Sequence, residues 1–166
     1  MEVRLVRPDE HGAAGALVVA AYRALPGAHL TGGYEQELAD VARRAEEAEV
    51  LVAAEESTLV GCVTYVPDAS SPWAEQLLEG EAAIRMLAVD PALQGRGAGR
   101  LLLEASIDRA RRSGRRALFL HSTPWMAAAH HLYERAGFVR VPGRDWYPVP
   151  EVPLLAFRLA LPDPAG

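Results

Sequence analysis

Apolar residues recur along the chain with two different periods, and the changes of period divide it into strands and helices. β-branched or alternating runs predict strands, whereas a spacing of three to four residues predicts amphipathic helices. The predicted strands are Glu2–Arg7, Glu49–Ala54, Thr58–Val66, Ala82–Val89, Arg116–Ser122, a strand beginning at Phe138–Val141, and Leu154–Leu161. The predicted helices are one capped by Asp9 that ends near Ala24, Tyr34–Ala48, one that ends at Ser113, and Trp125–Arg135.

The resulting element order is β-α-α-β-β-β-α-β-α-β-β. This order predicts an α/β (α+β) domain with a mixed, mostly antiparallel sheet and helices on its faces. No repeat, linker or low-complexity segment divides the chain, so residues 1–166 are expected to form a single domain. The connection Pro67–Gly80 is long for a compact domain, and loops of that length are often functional.

Composition removes several classes of protein from consideration. Half of the residues are apolar and 23% are charged, which argues against a disordered chain. No apolar run approaches the roughly 20 residues of a membrane span. A formal net charge of -5 argues against a general nucleic-acid binder. The one cysteine, Cys62, excludes an internal disulfide. The apolar stretch Gly12–Ala21 follows two acidic residues rather than the basic segment of a secretory signal peptide. We therefore expect a cytoplasmic protein.

The segment with the most chemical information is a glycine-rich turn, QGRGAG at Gln94–Gly99, between a predicted strand and a predicted helix. Unpaired N–H groups at a helix N-terminus bind phosphate, and glycine lets the backbone approach an anion closely. A dinucleotide fingerprint would need a third glycine where the chain has Arg100, and a P-loop needs a lysine, which the chain lacks. On glycines alone, an ordinary structural turn remains an alternative.

Two segments together resemble a known family. The Q-x-x-G-x-G pattern at Gln94–Gly99 resembles the pyrophosphate-binding motif of the GNAT family of N-acetyltransferases. The sequence AHHLYERAGF at Ala129–Phe138 resembles that family's A-x-x-L-Y-x-x-x-G-F segment. The two segments occur in the family's order, and the element order also resembles the family's over nearly the whole chain. The expected fold is therefore a GNAT fold, with the sheet splayed between its fourth and fifth strands.

The resemblance implies a binding mode for acetyl-CoA in the gap between the splayed strands. Its implied contacts with the pantetheine arm and the pyrophosphate come from Leu87, Ala88, Val89, Gln94, Gly95, Arg96, Gly97, Ala98, Gly99 and Arg100. The N–H of Leu87 would stabilise the thioester oxyanion, and Tyr133 would act as general acid toward the departing thiolate. No metal site is predicted, since the adjacent His130 and His131 point to different faces of a helix.

The general base is less well defined by the sequence. Glu81 is the one acidic residue near the strand that the family often uses, and His121 is a rival with a suitable intrinsic pKa. A water chain, or an amine that arrives deprotonated, would need neither residue. Met126 stands where the family commonly has an asparagine that binds pantetheine, so one cofactor contact is expected to be missing.

The acceptor is expected to bind among the segments Ala28–Tyr34, Pro67–Gly80 and Arg144–Pro153, which carry aromatic and acidic residues. Such a pocket would suit a cationic amine, on a small molecule or on a peptide. The expected function is transfer of an acetyl group from acetyl-CoA to that amine, with a homodimer left open. The alternative is a catalytically silent domain that binds and senses acetyl-CoA.

Overall fold

The computed structural model describes residues 1–26, 30 and 33–163, and most of them belong to one twisted sheet or to the helices on it. The strands are β1 (Glu2–Leu5), β2 (Glu49–Glu55), β3 (Thr58–Val66), β4 (Glu81–Val89), β5 (Ala117–Ser122), β6 (Val139–Arg140), β7 (Trp146–Val149) and β8 (Val152–Ala160). Their order in the sheet is β1-β2-β3-β4-β5-β8-β6, with β7 paired to β8. All of these pairs are antiparallel except β4–β5, which confirms the mostly antiparallel sheet.

Helices cover both faces of the sheet and enclose two apolar clusters. They are α1 (His11–Arg23), α2 (Tyr34–Ala39), α3 (Val41–Glu47), α4 (Ala98–Arg112) and α5 (Ala127–Arg135), with one-turn helices at Pro8–Glu10, Pro91–Leu93 and Pro142–Arg144. The face covered by α1, α2 and α3, here called the α1 face, buries Val18, Leu38, Val52 and Trp73. The opposite face, here called the α4 face, buries Leu51, Leu102, Leu118 and Phe157 beneath α4 and α5.

The predicted helix Tyr34–Ala48 is broken into α2 and α3. At Asp40 the backbone leaves the helical region, with φ -82° and ψ 67°, and the Asp40 carboxylate accepts a hydrogen bond of 3.1 Å from the N–H of Arg43. Aspartate competes with helix continuation in this way, since its side chain satisfies the N–H groups that begin a new helix. The break turns α2 to a different direction from α3.

Two further predictions were wrong in detail. Asp9 is not the N-cap of the first helix, because it lies inside the one-turn helix Pro8–Glu10, and α1 follows with Glu10 at its N-cap. The strand β7 was not predicted; it is four residues long and contains Pro148, which weakens a strand pattern and is tolerated at sheet edges. Among the residues that the structure describes, no helix has both the length and the apolarity to cross a membrane.

Candidate active site

A gap opens in the sheet between β4 and β5. The two strands pair in parallel only at their N-terminal ends, where Glu81 to Ala83 face Ala117 to Phe119. From Ile84 to Val89, the edge of β4 that faces β5 has no ladder partner among the described residues. Backbone groups along this edge are therefore available to a ligand that lies between the strands.

A β-bulge in β4 lies directly beside the gap. Arg85 faces Thr64 and Ala88 faces Cys62, so the one intervening residue of β3 opposes both Met86 and Leu87. Met86 has a φ of 56°, in the left-handed region that a methionine seldom adopts. Bulges and residues of this backbone conformation are frequent at functional sites, where they redirect side chains and backbone groups.

Beyond the bulge, the side chains of β4 alternate between the two faces of the sheet in the opposite phase. Ala82 and Ile84 lie in the α4-face cluster before the bulge, and Leu87 and Val89 lie in the same cluster after it. Met86 correspondingly joins Ala83 in the α1-face cluster. Because side chains alternate strictly along a regular strand, only the inserted residue allows Leu87 and Val89 to face the same way as Ile84.

The glycine-rich turn has the geometry of an anion site. Gly95 and Gly97 both have a φ of +84°, and Gly97 is the N-cap of α4. A Cβ added at either glycine would meet nothing within 4 Å, so backbone conformation rather than crowding requires glycine there. The first N–H groups of an α-helix have no helical partners, so those of α4 follow this turn at the positive end of the helix dipole.

The two motifs that were singled out in the sequence meet in space. A Cβ added at Gly99 would lie 3.4 Å from Leu132 of α5 and 3.7 Å from Val89 at the end of β4. These are ordinary contact distances, so the start of α4 lies against both elements and would also accommodate an alanine here. The contact brings the turn, the free edge of β4 and the helix that carries Tyr133 to one end of the gap.

Tyr133 lies in the apolar cluster of the α4 face. Its ring packs 5.8 Å from Phe138 and 5.7 Å from Phe157, and only 5% of its surface is exposed. Burial raises the pKa of the Tyr133 phenol, so the group keeps its proton at neutral pH. On the α1 face, the pKa of Tyr22 is raised by burial and then by the charges of Tyr34 and Tyr133.

The contacts of Glu81 argue against the role of general base that the sequence suggested for it. Its carboxylate is 1% exposed and accepts hydrogen bonds of 2.8 Å from both Arg144 and Arg158, and one of 3.0 Å from the N–H of Leu78. Burial opposes ionisation, but these hydrogen bonds outweigh it and hold the pKa at about 2. A carboxylate this weakly basic does not take up a proton at neutral pH, and it lies at the paired end of β4.

His121 has the properties that Glu81 lacks. It lies on β5 just beyond the last pair with β4, and its Nε2 is 3.0 Å from the carbonyl oxygen of Arg144. A carbonyl only accepts, so Nε2 carries the proton and Nδ1 is left with a free lone pair. Burial lowers the pKa of His121, against the opposing effects of the Arg144 carbonyl and the Glu75 carboxylate. The imidazole is therefore neutral at pH 7.

Met126 occupies the N-cap of α5, next to the end of β5. The hydroxyl of Ser122 donates to its sulfur at 3.3 Å, and Nε2 of His130 lies 3.1 Å from the same hydroxyl. A thioether is only a weak hydrogen-bond acceptor and cannot donate, whereas an asparagine amide both donates and accepts hydrogen bonds. Met126 therefore cannot make the hydrogen bonds to pantetheine that an asparagine would make at this position.

A cleft of about 470 Å³ opens on the α1 face, beside α2 and the connection Pro67–Gly80. It is lined by Gly33, Tyr34, Gln36, Glu37, Asp40, Arg43 and Trp73. Most of the predicted acceptor segment Ala28–Tyr34 lies outside the described residues, since 28, 29, 31 and 32 are not among them. Of the predicted aromatics, Trp146 lies apart from this cleft, 6.3 Å from the ring of His121.

The protein's own arginines already surround Trp73. The guanidinium carbons of Arg43, Arg44 and Arg85 lie 5.9, 6.0 and 5.3 Å from the centre of its ring. Arg85 also pairs with Glu75 at 2.8 Å and donates to the carbonyl of Trp73 at 3.3 Å. The cation–π capacity that was expected to serve a substrate amine is therefore largely used within the protein. In the described part of the chain, no three His, Cys, Asp or Glu residues are placed to hold a metal ion.

The fold and the site define a class of protein that comparison confirms. Residues 16–138 match the model of the acetyltransferase (GNAT) family, and the chain belongs to this family. The splayed strands β4 and β5, the glycine-rich turn and the segment around Tyr133 all lie within the matched region.

Individual relatives match over shorter stretches. The ribosomal protein bS18-alanine N-acetyltransferase of Salmonella typhimurium is 40% identical over 88 residues, which are 52% of this chain and 60% of that protein. A mycothiol acetyltransferase of Gordonia bronchialis is 40% identical over 68 residues, 41% of this chain and 22% of that protein. The aligned region thus spans about three-fifths of the bS18-alanine N-acetyltransferase.

Solved structures match the fold over nearly the whole chain. The yncA protein of Salmonella typhimurium, solved with acetyl-CoA as its cofactor, has a TM-score of 0.71 at 23% identity, with 99% of this chain and 96% of that chain covered. A ribosomal-protein-alanine N-acetyltransferase of Brucella melitensis has a TM-score of 0.69 at 22% identity, with coverages of 97% and 100%. At these identities the likeness concerns the fold, and it confirms the predicted GNAT architecture.

Proposed function

We propose that the protein is an N-acetyltransferase that moves the acetyl group of acetyl-CoA to an amine by direct attack. The observation that carries this proposal is the meeting of three features at one end of the β4–β5 gap. They are the unpaired edge of β4 with its bulge at Met86, the open anion site at Gly95–Gly99, and the buried phenol of Tyr133.

The cofactor contacts in this proposal are mainly backbone contacts. The pantetheine arm would pair with the free edge of β4 at Leu87, Ala88 and Val89 as an added strand would. The pyrophosphate would accept hydrogen bonds from the turn and the first residues of α4, which are Gln94, Gly95, Arg96, Gly97, Ala98, Gly99 and Arg100. The exposed side chain of Arg96 is held toward β2 by an ion pair of 3.0 Å with Glu55.

Two groups of the protein would take part in the chemistry, one as hydrogen-bond donor to the oxyanion and the other as proton donor to the sulfur. The amine nitrogen attacks the thioester carbon, the C–N bond forms, and the C–S bond breaks to release CoA thiolate. Negative charge on the carbonyl oxygen would be stabilised by the Leu87 N–H, which belongs to the part of β4 that has no β5 partner. The Tyr133 hydroxyl would supply a hydrogen bond, and finally a proton, to the sulfur. Because burial raises the pKa of Tyr133, its main contribution is hydrogen bonding to the thiolate.

The proton released by the amine needs an acceptor, and we propose His121 for this role in place of Glu81. Its neutral imidazole has a free Nδ1 lone pair, and the hydrogen bond from Nε2 to the Arg144 carbonyl fixes the ring. Its lowered pKa keeps it unprotonated at physiological pH. A base whose pKa lies near the working pH is the most effective, so His121 suits an amine that arrives largely protonated.

The acceptor in this proposal is a small primary amine or a peptide N-terminus that enters from the α1 face. The cleft beside α2 offers the carboxylates of Glu37 and Asp40 and the ring of Tyr34. The named relatives act on an alanine of ribosomal protein bS18 and in mycothiol acetylation, which supports trying both acceptor types.

A domain that senses acetyl-CoA without turnover is the second candidate. The presence of Met126 where a pantetheine-binding asparagine was expected, together with the closed ion-pair network of Glu81, favours it. Both candidates require acetyl-CoA binding, whereas only the enzyme requires His121 and Tyr133.

The test is a panel assay that follows free CoA thiol. The panel contains free amino acids, a polyamine, an amino sugar and a hexapeptide that begins with alanine. We expect acetyl-CoA to raise the melting temperature, and at least one amine to be acetylated by the wild type and far more slowly by Tyr133→Phe. Binding without turnover of any amine would favour the sensing domain, and stabilisation by ATP or NADH instead of CoA would contradict the proposal.

A further inference from the structure

Arg44 is a buried charged residue for which the described part of the chain provides no carboxylate. Its exposure is 0%, and the ion pairs of the described residues do not include it. Burial of an unpaired charge is costly, and such a residue persists only where hydrogen bonds satisfy it fully. Neither the cofactor contacts nor the proton transfers proposed above use Arg44.

The guanidinium of Arg44 instead binds the carbonyls at the end of α2. It donates to the carbonyl of Leu38 at 2.9 Å, to that of Glu37, and weakly to that of Asp40 at 3.5 Å. The Glu37 carbonyl also accepts from the N–H of Asp40 at 3.3 Å, and the Asp40 carbonyl from that of Arg44 at 3.4 Å, so the guanidinium adds donors at the helix break. Arg44 thus compensates the break from inside the protein, at the helix end where a cation is favoured.

Two other elements meet at the same guanidinium. Its Nε donates to the buried hydroxyl of Thr64 on β3 at 3.1 Å, and its carbon lies 6.0 Å from the ring centre of Trp73. Arg44 therefore joins α2, the central sheet and the connection Pro67–Gly80. Most of the lining of the 470 Å³ cleft comes from α2 and Trp73, and Arg44, which contacts both, is not itself a lining residue.

We propose that Arg44 is the positioning residue of the acceptor cleft: it holds α2 and Trp73 at the separation that an acceptor requires, without touching the acceptor. This inference rests on the proposed function, since it assigns the cleft to the acceptor. The proposed role is assigned to Arg44 and not to Arg43 or Arg85, because the charges of those two arginines are balanced by Glu47 and Glu75.

The test compares Arg44→Lys with Arg112→Met, a change to an exposed arginine of α4 that pairs with Asp108 outside the site. Lysine keeps the charge but loses the planar fork that reaches three carbonyls and Thr64 at once. We expect amide exchange in residues 34–39 to accelerate roughly tenfold, while exchange in β3 and β4 stays unchanged. For the amine with the highest rate in the panel, KM should rise and kcat/KM should fall roughly 10- to 100-fold. The dissociation constant of acetyl-CoA should stay at the wild-type value in both variants.

Thr64→Val provides a milder second variant, because it removes one acceptor of Arg44 at nearly constant volume. It should give the same pattern with smaller changes, and it keeps the proposal testable if Arg44→Lys folds poorly. Wild-type exchange in residues 34–39 with an unchanged acceptor KM would overturn the proposal. Faster exchange throughout the sheet with weaker acetyl-CoA binding would also overturn it, as the mark of a purely structural role. If no amine reacts, the proposed function fails, and the exchange measurement still decides whether Arg44 positions the cleft.

Discussion

The two sides of the β4–β5 gap are held in shape by different parts of the polypeptide. On the α4 face, backbone conformation determines the shape, through left-handed glycines at Gly95 and Gly97 and the free N–H groups at the start of α4. On the α1 face, long side chains connect distant segments, as Arg44 does with α2 and Thr64 and Arg85 with Glu75.

This difference has a consequence for how each side responds to substitution. A site made of backbone groups tolerates most side-chain changes and fails where a change alters φ and ψ. A site made of linked side chains fails when one partner is removed, because the remaining charge is left buried and unpaired. The following substitutions distinguish a site made of backbone groups from a site made of linked side chains, beginning with the largest expected effect.

His121→Gln should have the largest effect on turnover. Removal of a general base typically costs about 10²- to 10⁴-fold, and we expect kcat/KM at pH 7 to fall in that range with acetyl-CoA affinity retained. Burial lowers the pKa of His121, so the wild-type profile of kcat/KM should have its acid limb below pH 6.5, and the variant should lack it. The control is His131→Gln on α5, outside the gap, which should keep the wild-type profile. A variant at position 121 with an unaltered acid limb would falsify the assignment.

Glu81→Gln should affect stability rather than catalysis. In the folded state the pKa of Glu81 is about 2, below the value near 4.5 expected of the unfolded chain, so its stabilising effect is full above that value and is lost as the pH falls toward 2. The difference corresponds to about 3 kcal/mol. Denaturant unfolding at pH 7 should show a loss of that order, whereas Asp108→Asn in an exposed pair should lose less than about 1 kcal/mol. Loss of the acid limb of kcat/KM in Glu81→Gln would return the role of base to this residue.

Tyr133→Phe keeps the ring between Phe138 and Phe157 and removes only the hydroxyl. Because burial raises the pKa of the phenol, complete proton transfer to a thiolate is uphill, and we expect kcat to fall by about 10²-fold, the lower end for acid catalysis. KM for acetyl-CoA and the melting temperature should change little. Steady-state kinetics on any accepted amine measure this, and full turnover by the phenylalanine variant would leave Tyr133 with a packing role alone.

Gly97→Val tests the backbone-built side, and the chain offers a matched control. Gly97 and Gly114 stand at opposite ends of α4, with φ values of 84° and 71°, so valine should cost about 1–2 kcal/mol of stability at each. Only the change at Gly97 alters the anion site, and we expect acetyl-CoA affinity to drop about tenfold there and to persist in Gly114→Val. Calorimetric titration gives both constants. Equal affinities in the two variants would mean that the turn has no part in binding.

The features that could be predicted from the sequence are those encoded by neighbouring residues. The turn at Gln94–Gly99 and the segment Ala129–Phe138 each fit within ten residues, and with the element order they identified the fold and the family. The gap itself was predicted through the resemblance, since nothing in the residues of β4 or β5 states where their pairing stops.

The features that were missed depend on contacts between distant residues or on backbone conformation without a sequence signature. Glu81 was predicted as a possible base, and its ion-pair partners could not be foreseen because Arg144 and Arg158 lie 63 and 77 residues away. The left-handed conformation of Met86 has no signal, because methionine is not a residue that favours it. The apolar spacing of Tyr34–Ala48 continued through Asp40, and it carries no sign of the Asp40 cap or of the carbonyl contacts of Arg44 at the helix break.

At the bulge in β4, substitutions within four consecutive residues can change the two faces of the strand independently. Substitutions at Leu87 and Val89 change the wall beneath α4 and α5, whereas substitutions at Met86 and Ala88 change the wall beneath α1 and Trp73. Under the proposed function, a combinatorial library over these four positions would therefore vary cofactor affinity and acceptor preference independently. Deletion of Met86 would remove the inserted residue, and strict alternation alone would then keep Leu87 and Val89 on the face of Ile84 and Ala88 on the opposite face.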